Sequence, residues 1–474
     1  MFEKLDTGAH FSKKYGIRTP FDKNMNEFQR VRKEEYFFAP PHTVLRRSFF
    51  MSVLTLLPII VTLGGAFFLF KLRFFFFLHP IRIARATRAA LSSREARRSL
   101  FLALAGTLGV GNIVGVAVGI TVGGAGSVLW LLVSSLFASV LKYAESTLAS
   151  DMRRSDGGGM LPVISATFGK GGKTASVIYA ILCVALSFVM GAALQTASVV
   201  TSATEALSVP AATVAAVFTA AVFLVIARGA EKIERFTAII MPITTALYIV
   251  LCLATVVSNM SRIPAVISSI FASALSLDGI RGGIFATVAA VSVREGFCRG
   301  LLSNEAGAGT SAFAHSAKVR VPTDAGLLGM CEVFFDTVVL CMLTAISILL
   351  TVDNPAEYTT GMSLVLDSVG SIFGSLSRHL VVLAVTAFAF STVICWYFYG
   401  SRAMYSASAR LKHLYTALFL FSVFFGGMIN DVLLVHLTDF ILLALTAITV
   451  LTLIKNSDRL CHLSECSGLI NPRF

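Results

Sequence analysis

Two short stretches carry the residues best suited to hold a ligand. The first is Gly106-Thr107-Leu108-Gly109-Val110-Gly111-Asn112-Ile113-Val114-Gly115, in which four of ten residues are glycine although apolar sequence flanks both sides. That density favours a break in a membrane helix, and a break frees backbone N–H and C=O groups at membrane depth. Such backbone survives in a bilayer only where it lines a cavity or is buried in protein. Its half-helix ends expose N–H groups on one side and C=O groups on the other, with partial charges of opposite sign. The amides of Val110 and Gly111 are therefore candidates to hold a substrate carboxylate. The carbonyls near Ala105 and Leu108 are candidates for a sodium ion. The small-residue spacings Gly111/Gly115 and Gly115/Gly119 would also serve close helix packing, but Asn112 in mid-span argues for a site.

The second stretch is Arg299-Gly300-Leu301-Leu302-Ser303-Asn304-Glu305-Ala306-Gly307-Ala308-Gly309-Thr310-Ser311. Ionisable groups at that depth cost several kcal/mol unless paired or wet, which marks them as functional. An Arg299–Glu305 ion pair is the structural alternative, and Glu305 is expected to cap freed amides; Ser303 and Asn304 are the better ligand candidates. Elsewhere, Gln195 lies alone in its apolar segment and serves either a ligand or an interhelical hydrogen bond. The hydroxyls of Ser391 and Thr392 suit a hard cation, with back-bonding to their own helix as the plainer role. Trp396 is a pocket wall or an interfacial belt residue. Lys142 and Glu145 read as a helix-face pair, while Asp336 and Asp439 have no partner visible in the sequence and leave proton coupling open.

The elements that position these residues follow from composition. The chain has 474 residues, 56% of them hydrophobic and 14% charged, against about 25% charged in a soluble domain. It is a multi-pass membrane protein. Eleven apolar segments occur at 48–70, 100–121, 127–150, 174–201, 211–227, 238–258, 284–318, 324–351, 379–401, 414–429 and 431–454. The stretches 262–276 and 359–377 are amphipathic and read as interfacial helices. Loops on the side of 71–99 hold 23 Lys and Arg, and loops on the other side hold 3. The first set is therefore cytoplasmic, the C-terminal tail 455–474 included. The net charge of +13 resides largely in these loops and does not call for nucleic acid. The basic tail 1–47 is then forced outside, against its ten Lys and Arg; it lacks the short apolar core of a cleaved signal peptide.

After an extra helix at 48–70, ten spans remain in two sets of five, 100–258 and 284–454, and each set opens on an interrupted span. Five spans per set make the second set run in the opposite direction. Paired interruptions at matching positions of two inverted halves mark a secondary transporter's binding site. Six cysteines lie in apolar segments as small hydrophobes. Cys461, His462 and Cys466 match no zinc pattern, and no cofactor is implied. Gly109-x-Gly111-x-x-x-Gly115 has the wrong spacing and context for a dinucleotide loop. A channel or receptor would need a continuous polar stripe or a signalling domain, and neither is visible. For an intramembrane enzyme the only hint is His315 near Ser311, which reads as a solvated loop histidine.

At these residues the chain resembles the alanine or glycine:cation symporter family, the sodium:alanine symporters. The resemblance covers roughly 48–455 and rests on five pieces. They are Gly109-Val110-Gly111-Asn112-Ile113-Val114-Gly115-Val116-Ala117, Lys142-Tyr143-Ala144-Glu145, Gly158-Gly159-Met160, Arg299 through Gly307, and Trp396-Tyr397-x-Tyr399-Gly400. It implies an all-α integral membrane fold of the leucine-transporter type, a 5+5 inverted repeat with discontinuous first and sixth core helices. It implies sodium-coupled import of alanine or glycine, D-alanine included, across a prokaryotic inner membrane. Carried over by position, Val110 and Gly111 would meet the substrate carboxylate, with Gln195, Ser303, Asn304 and Trp396 nearby; Asn112 and the sodium candidates Ala105, Leu108, Ser391 and Thr392 rest on the residues themselves. Three departures stand out. Val110 occupies a position where the family usually has Thr, Leu443-Ala444-Leu445-Thr446 lacks the usual Pro-Asn, and the 1–47 extension is unusual.

Overall fold

The computed structural model describes residues 41–153, 158–275, 283–358, 360–372, 374–407, 411–429 and 431–469. Most of the expected tail 1–47, the end of the amphipathic stretch 262–276 and the last residues of the tail 455–474 lie outside the described residues. The chain divides into a unit Met1–Val53 and a unit Leu54–Phe474. Of the first, residues 41–53 are helical. All that follows concerns the second, whose described secondary structure is entirely helical.

Every apolar run expected from the sequence is helical over most of its length, and the two expected to be interrupted, 100–121 and 284–318, are each split by a break. The unit begins with α1 (Leu56–Lys71) and the amphipathic α2 (Pro80–Ala90). The first interrupted element is α3 (Arg94–Thr107) followed by α4 (Val114–Gly123). Then come α5 (Gly126–Asp151), α6 (Gly169–Leu207), α7 (Ala211–Ile226), α8 (Ala230–Ser258) and α9 (Ile263–Ala274). The second interrupted element is α10 (Gly283–Asn304) with α11 (Ala312–Lys318). It is followed by α12 (Pro322–Thr351), α13 (Gly361–Ser368), α14 (Ser375–Ala407), α15 (Lys412–Gly426), α16 (Asp431–Lys455) and α17 (Ser457–Cys466).

Among the described residues six helices are by themselves long and apolar enough to cross a membrane, and α3 with α4 makes a seventh, broken one. Four apolar helices, α1, α7, α15 and the stretch Met260–Ala274, are shorter. Lengths and polarity alone therefore establish a multi-pass membrane protein.

Local signals explain the starts and stops. Ser93 caps α3 by accepting from the Ala96 N–H at 3.0 Å, with Glu95 in the first turn where an acid favours the helix dipole. Pro322 opens α12 at a position where its missing N–H costs nothing.

α5 is the post on which the site is mounted. It packs along both α10 and α12. Small residues allow the close approach: a Cβ on Gly300 would lie 2.1 Å from Ser134 Oγ, and one on Gly326 would lie 2.1 Å from Thr147 Oγ1. With no hydrophobic effect between helices in lipid, such contact and interhelical hydrogen bonds hold the bundle together. α14 lies against α3, α6 and α8 and brings its polar face to the first break.

Candidate functional site

The first break sits where the glycines place it. α3 ends at Thr107, a single 3-10 turn spans Val110–Asn112, and the halves are bent by 65°. In a continuous helix the Gly109 N–H would donate to Ala105 O. Here it donates to Thr107 O at 2.8 Å and to Asn112 Oδ1 at 3.3 Å. The Val110 N–H, turned away from Gly106, donates to Gln195 Oε1 at 3.2 Å. The freed carbonyl of Gly106 accepts from Trp396 Nε1 at 3.3 Å, and that of Leu108 accepts from Thr392 Oγ1 at 3.4 Å. Gln195, Thr392 and Trp396 thus converge on one break from two other helices. Gly109 is the point of closest approach, since a Cβ there would lie 3.0 Å from Thr392 Oγ1 and 3.1 Å from Gln195 Oε1. Two residues on the backbone opens out. Gly111 is exposed, and a Cβ there would meet nothing within 4 Å.

The second break runs from α10 to α11. Its backbone turns through the left-handed region at Glu305 (φ 51), Gly307 (φ 82) and Gly309 (φ 75). A non-glycine residue there is strained, and such strain concentrates at functional sites. Asn304 holds the turn: its Oδ1 accepts from the Ala306 N–H at 3.0 Å and its Nδ2 donates to Thr337 Oγ1 at 3.4 Å. The freed amides of Gly307 and Gly309 both donate to one oxygen of Glu145, at 3.1 and 3.0 Å. The capping expected of Glu305 therefore falls to Glu145, which reaches the turn from α5. Glu305 instead accepts from Thr310 Oγ1 at 2.6 Å. Arg299 pairs with Glu295 one turn back at 3.2 Å, and not with Glu305.

Asp336 joins the two breaks. Its carboxylate accepts from Asn112 Nδ2 at 2.5 Å, from Ser303 Oγ at 2.7 Å and from Thr337 Oγ1 at 3.0 Å. Asn112, Ser303, Asn304, Asp336 and Thr337 are all buried. An isolated carboxylate in such a place would be prohibitively costly, whereas each hydrogen bond to a charged group returns about 1.5–3 kcal/mol. Asp336 and Thr337 lie within a π-helical segment, Phe334–Cys341, and Gln195 directly follows another, Ser187–Leu194. The wider turn of a π segment rotates side chains out of the α-helical register, and it recurs at functional sites.

Beneath the breaks lies a second buried network. Lys142 Nζ is 3.0 Å from Glu332 Oε1, 3.7 Å from Glu145 Oε1 and 2.8 Å from Ser311 Oγ. His315 lies 3.4 Å from Glu332 Oε2 and 2.9 Å from Ser99 Oγ. The helix-face pair Lys142–Glu145 is thus part of a buried cluster. The expected loop histidine is buried too, because α11 packs against α3 and α5.

The expected sodium ligands separate. Leu108 and Thr392 are brought together, and the carbonyl of Ala105 has lost its helical donor. Ser391 Oγ is turned onto its own helix, donating to Ala387 O and Phe388 O at 3.0 and 2.9 Å, with Met241 Sδ at 3.1 Å.

Comparison with known proteins settles the family. The sequence profile of the sodium:alanine symporter family matches residues 43–461. The chain belongs to that family. It is 32% identical over 359 residues to the sodium/alanine symporter AgcS of Methanococcus maripaludis, covering 72% of this chain and 77% of the relative. It is 29% identical over 344 residues to the amino-acid carrier protein AlsT of Bacillus subtilis, covering 71% and 72%. A sodium/proton-dependent alanine carrier protein of Bacillus sp. is 28% identical over 335 residues, covering 67% and 74%. The symporter family is one of transporters and not of enzymes, and the two linked breaks belong to a transport protein.

Proposed function

We propose that the chain imports a small neutral amino acid, alanine or glycine, with D-alanine as a further candidate, by symport with sodium across a prokaryotic inner membrane. The observation that carries this reading is the bridge from Asn112 through Asp336 to Ser303, which couples the two broken helices through one buried carboxylate. In this reading the ten helices after α1 form two inverted sets of five, and the two breaks are their matching interruptions. The substrate carboxylate docks on the backbone at Val110 and Gly111, on the side where Gly111 leaves open space, and displaces Gln195 from the Val110 N–H. Asn112, Ser303, Asn304 and Trp396 line the remainder. Val110 has no hydroxyl, so only its backbone can serve.

Sodium sits by the Ala105 and Leu108 carbonyls and the Thr392 hydroxyl. Ser391 joins after turning from its own helix. A hard cation prefers such oxygen donors. Charge complementarity makes each ligand strengthen the other's binding, and one helix bundle then rocks against the other. Asp336 supplies a second place for positive charge. A proton there gives the alternative reading, proton-coupled uptake, which the names of relatives called sodium/proton-dependent alanine carriers favour. Uptake of labelled alanine and glycine into proteoliposomes, with an inward sodium gradient or a proton gradient, tests both. Uptake driven by sodium supports the first reading, uptake driven only by protons the second, and no gradient-dependent uptake of either amino acid contradicts both.

A further inference from the structure

Away from the breaks, a cavity of about 580 Å³ opens between α3 and the start of α8. Arg94, Arg97 and Arg98 line it from one face of α3, and Arg235 lines it from α8. Two of these cations are engaged. Arg97 donates to the carbonyls of Leu91 and Ser92 at 2.9 and 2.8 Å, and Arg235 pairs with Glu231 at 2.5 Å. Arg94 and Arg98 have no hydrogen-bond or ion-pair partner among the described residues. The acidic residues on these turns, Glu95 and Glu231, do not line the cavity. Among the described residues, Arg94 and Arg98 therefore bring positive charge to the cavity that no acidic side chain of its lining offsets.

The rest of its wall is apolar, formed by Phe101, Ala238 and Ile239. Ile239 also begins a stripe on α8. Ile239, Ile243, Val250 and Val257 fall on one helical face and are each 59–65% exposed. In a membrane protein such a stripe faces acyl chains. The basic cavity and the apolar stripe thus meet at one residue, which is the layout an amphiphile with an anionic head requires.

We propose that this cavity binds the phosphate headgroup of an anionic phospholipid, whose chains run along the α8 stripe. Free phosphate shares the headgroup chemistry but has no use for the stripe. A lipid seated there braces α3, the half-helix ahead of the first break, against α8.

Native mass spectrometry of the purified full chain in detergent tests this with phosphatidylglycerol, with phosphatidylcholine, and with phosphatidylglycerol in excess inorganic phosphate. Phosphatidylglycerol is expected to be retained in preference to phosphatidylcholine, and phosphate is expected not to displace it. Arg94→Gln/Arg98→Gln should weaken its binding about tenfold, whereas Arg94→Lys/Arg98→Lys should keep most of it. If the Gln variant is poorly folded, the Lys variant together with the lipid and phosphate arms still decides. Equal retention of both lipids, binding unchanged in a folded Gln variant, binding lost in a folded Lys variant, or displacement by phosphate would overturn the proposal.

Discussion

The side-chain amide of Asn112 donates to the carboxylate of Asp336 at 2.5 Å, across 224 positions of sequence. The same carboxylate accepts from Ser303 at 2.7 Å. A movement of either broken helix therefore reaches the other through two hydrogen bonds. Asp336→Asn keeps the shape and removes the charge. It should lower sodium-driven alanine uptake by about tenfold or more, on the scale of one or two lost charge-assisted hydrogen bonds. The protein should still elute as a monodisperse peak. Uptake at the wild-type level would place the coupling elsewhere.

Asn112→Ala and Ser303→Ala remove the two donors one at a time. Each should abolish uptake without loss of expression, because both side chains serve the breaks and not the helix packing around α5. Wild-type uptake in both variants would mean the pocket lies elsewhere.

Gly111 and Gly191 separate binding from folding. A Cβ on Gly111 meets nothing within 4 Å, whereas one on Gly191 would lie 2.3 Å from Trp396 Cβ. Gly111→Ala should leave thermal stability within about 1 kcal/mol of wild type, as expected for an unstrained methyl, yet reduce uptake by filling substrate space. Gly191→Ala should lower the unfolding temperature and the yield together. A Gly111→Ala protein with full uptake would contradict the proposed docking of the carboxylate.

Thr392 and Ser391 should differ in sodium dependence. Thr392 Oγ1 meets Leu108 O at 3.4 Å, while Ser391 Oγ is bonded to its own helix. Thr392→Val should raise the sodium concentration for half-maximal uptake several-fold, and Ser391→Ala should raise it less. The reverse order would show that Ser391 turns fully towards the ion during transport.

Glu145 supports the second break. Its one oxygen takes the amides of Gly307 and Gly309, and its other lies 3.7 Å from Lys142. Glu145→Ala leaves two buried amides unpaired and upsets the charge balance, costing about 3–5 kcal/mol. Thermal unfolding in detergent should show a clear drop, with Glu145→Gln intermediate because it keeps an acceptor. An unchanged unfolding temperature in Glu145→Ala would contradict this structural role.

Much of the arrangement was legible in the sequence, for local reasons. Glycine density marks the break at Gly106–Gly115, the cluster Ser303-Asn304-Glu305 marks the other, and each apolar run became a helix. What escaped was long-range. Asp336 shares its run with two other acids, Asp324 and Glu332, which offer it no partner, and Asn112 and Ser303, which do, lie 224 and 33 positions away. Lys142 and Glu145 have the i, i+3 spacing of a surface pair, and nothing local reveals Glu332 as the third member. Glu305 was the natural cap by proximity, yet a left-handed turn at φ 51 sends its side chain to Thr310 and leaves the amides to Glu145. The π segments that orient Asp336 and Gln195 have no compositional mark at all.

The most direct test of a shared site is reciprocal binding by isothermal titration calorimetry on the purified protein. Alanine and glycine are titrated at varied sodium concentration, and sodium is titrated with and without amino acid. Sodium is expected to tighten amino-acid binding, and the amino acid to tighten sodium binding by the same factor, typically about 5- to 150-fold. Amino-acid binding that does not change with sodium would contradict a shared site.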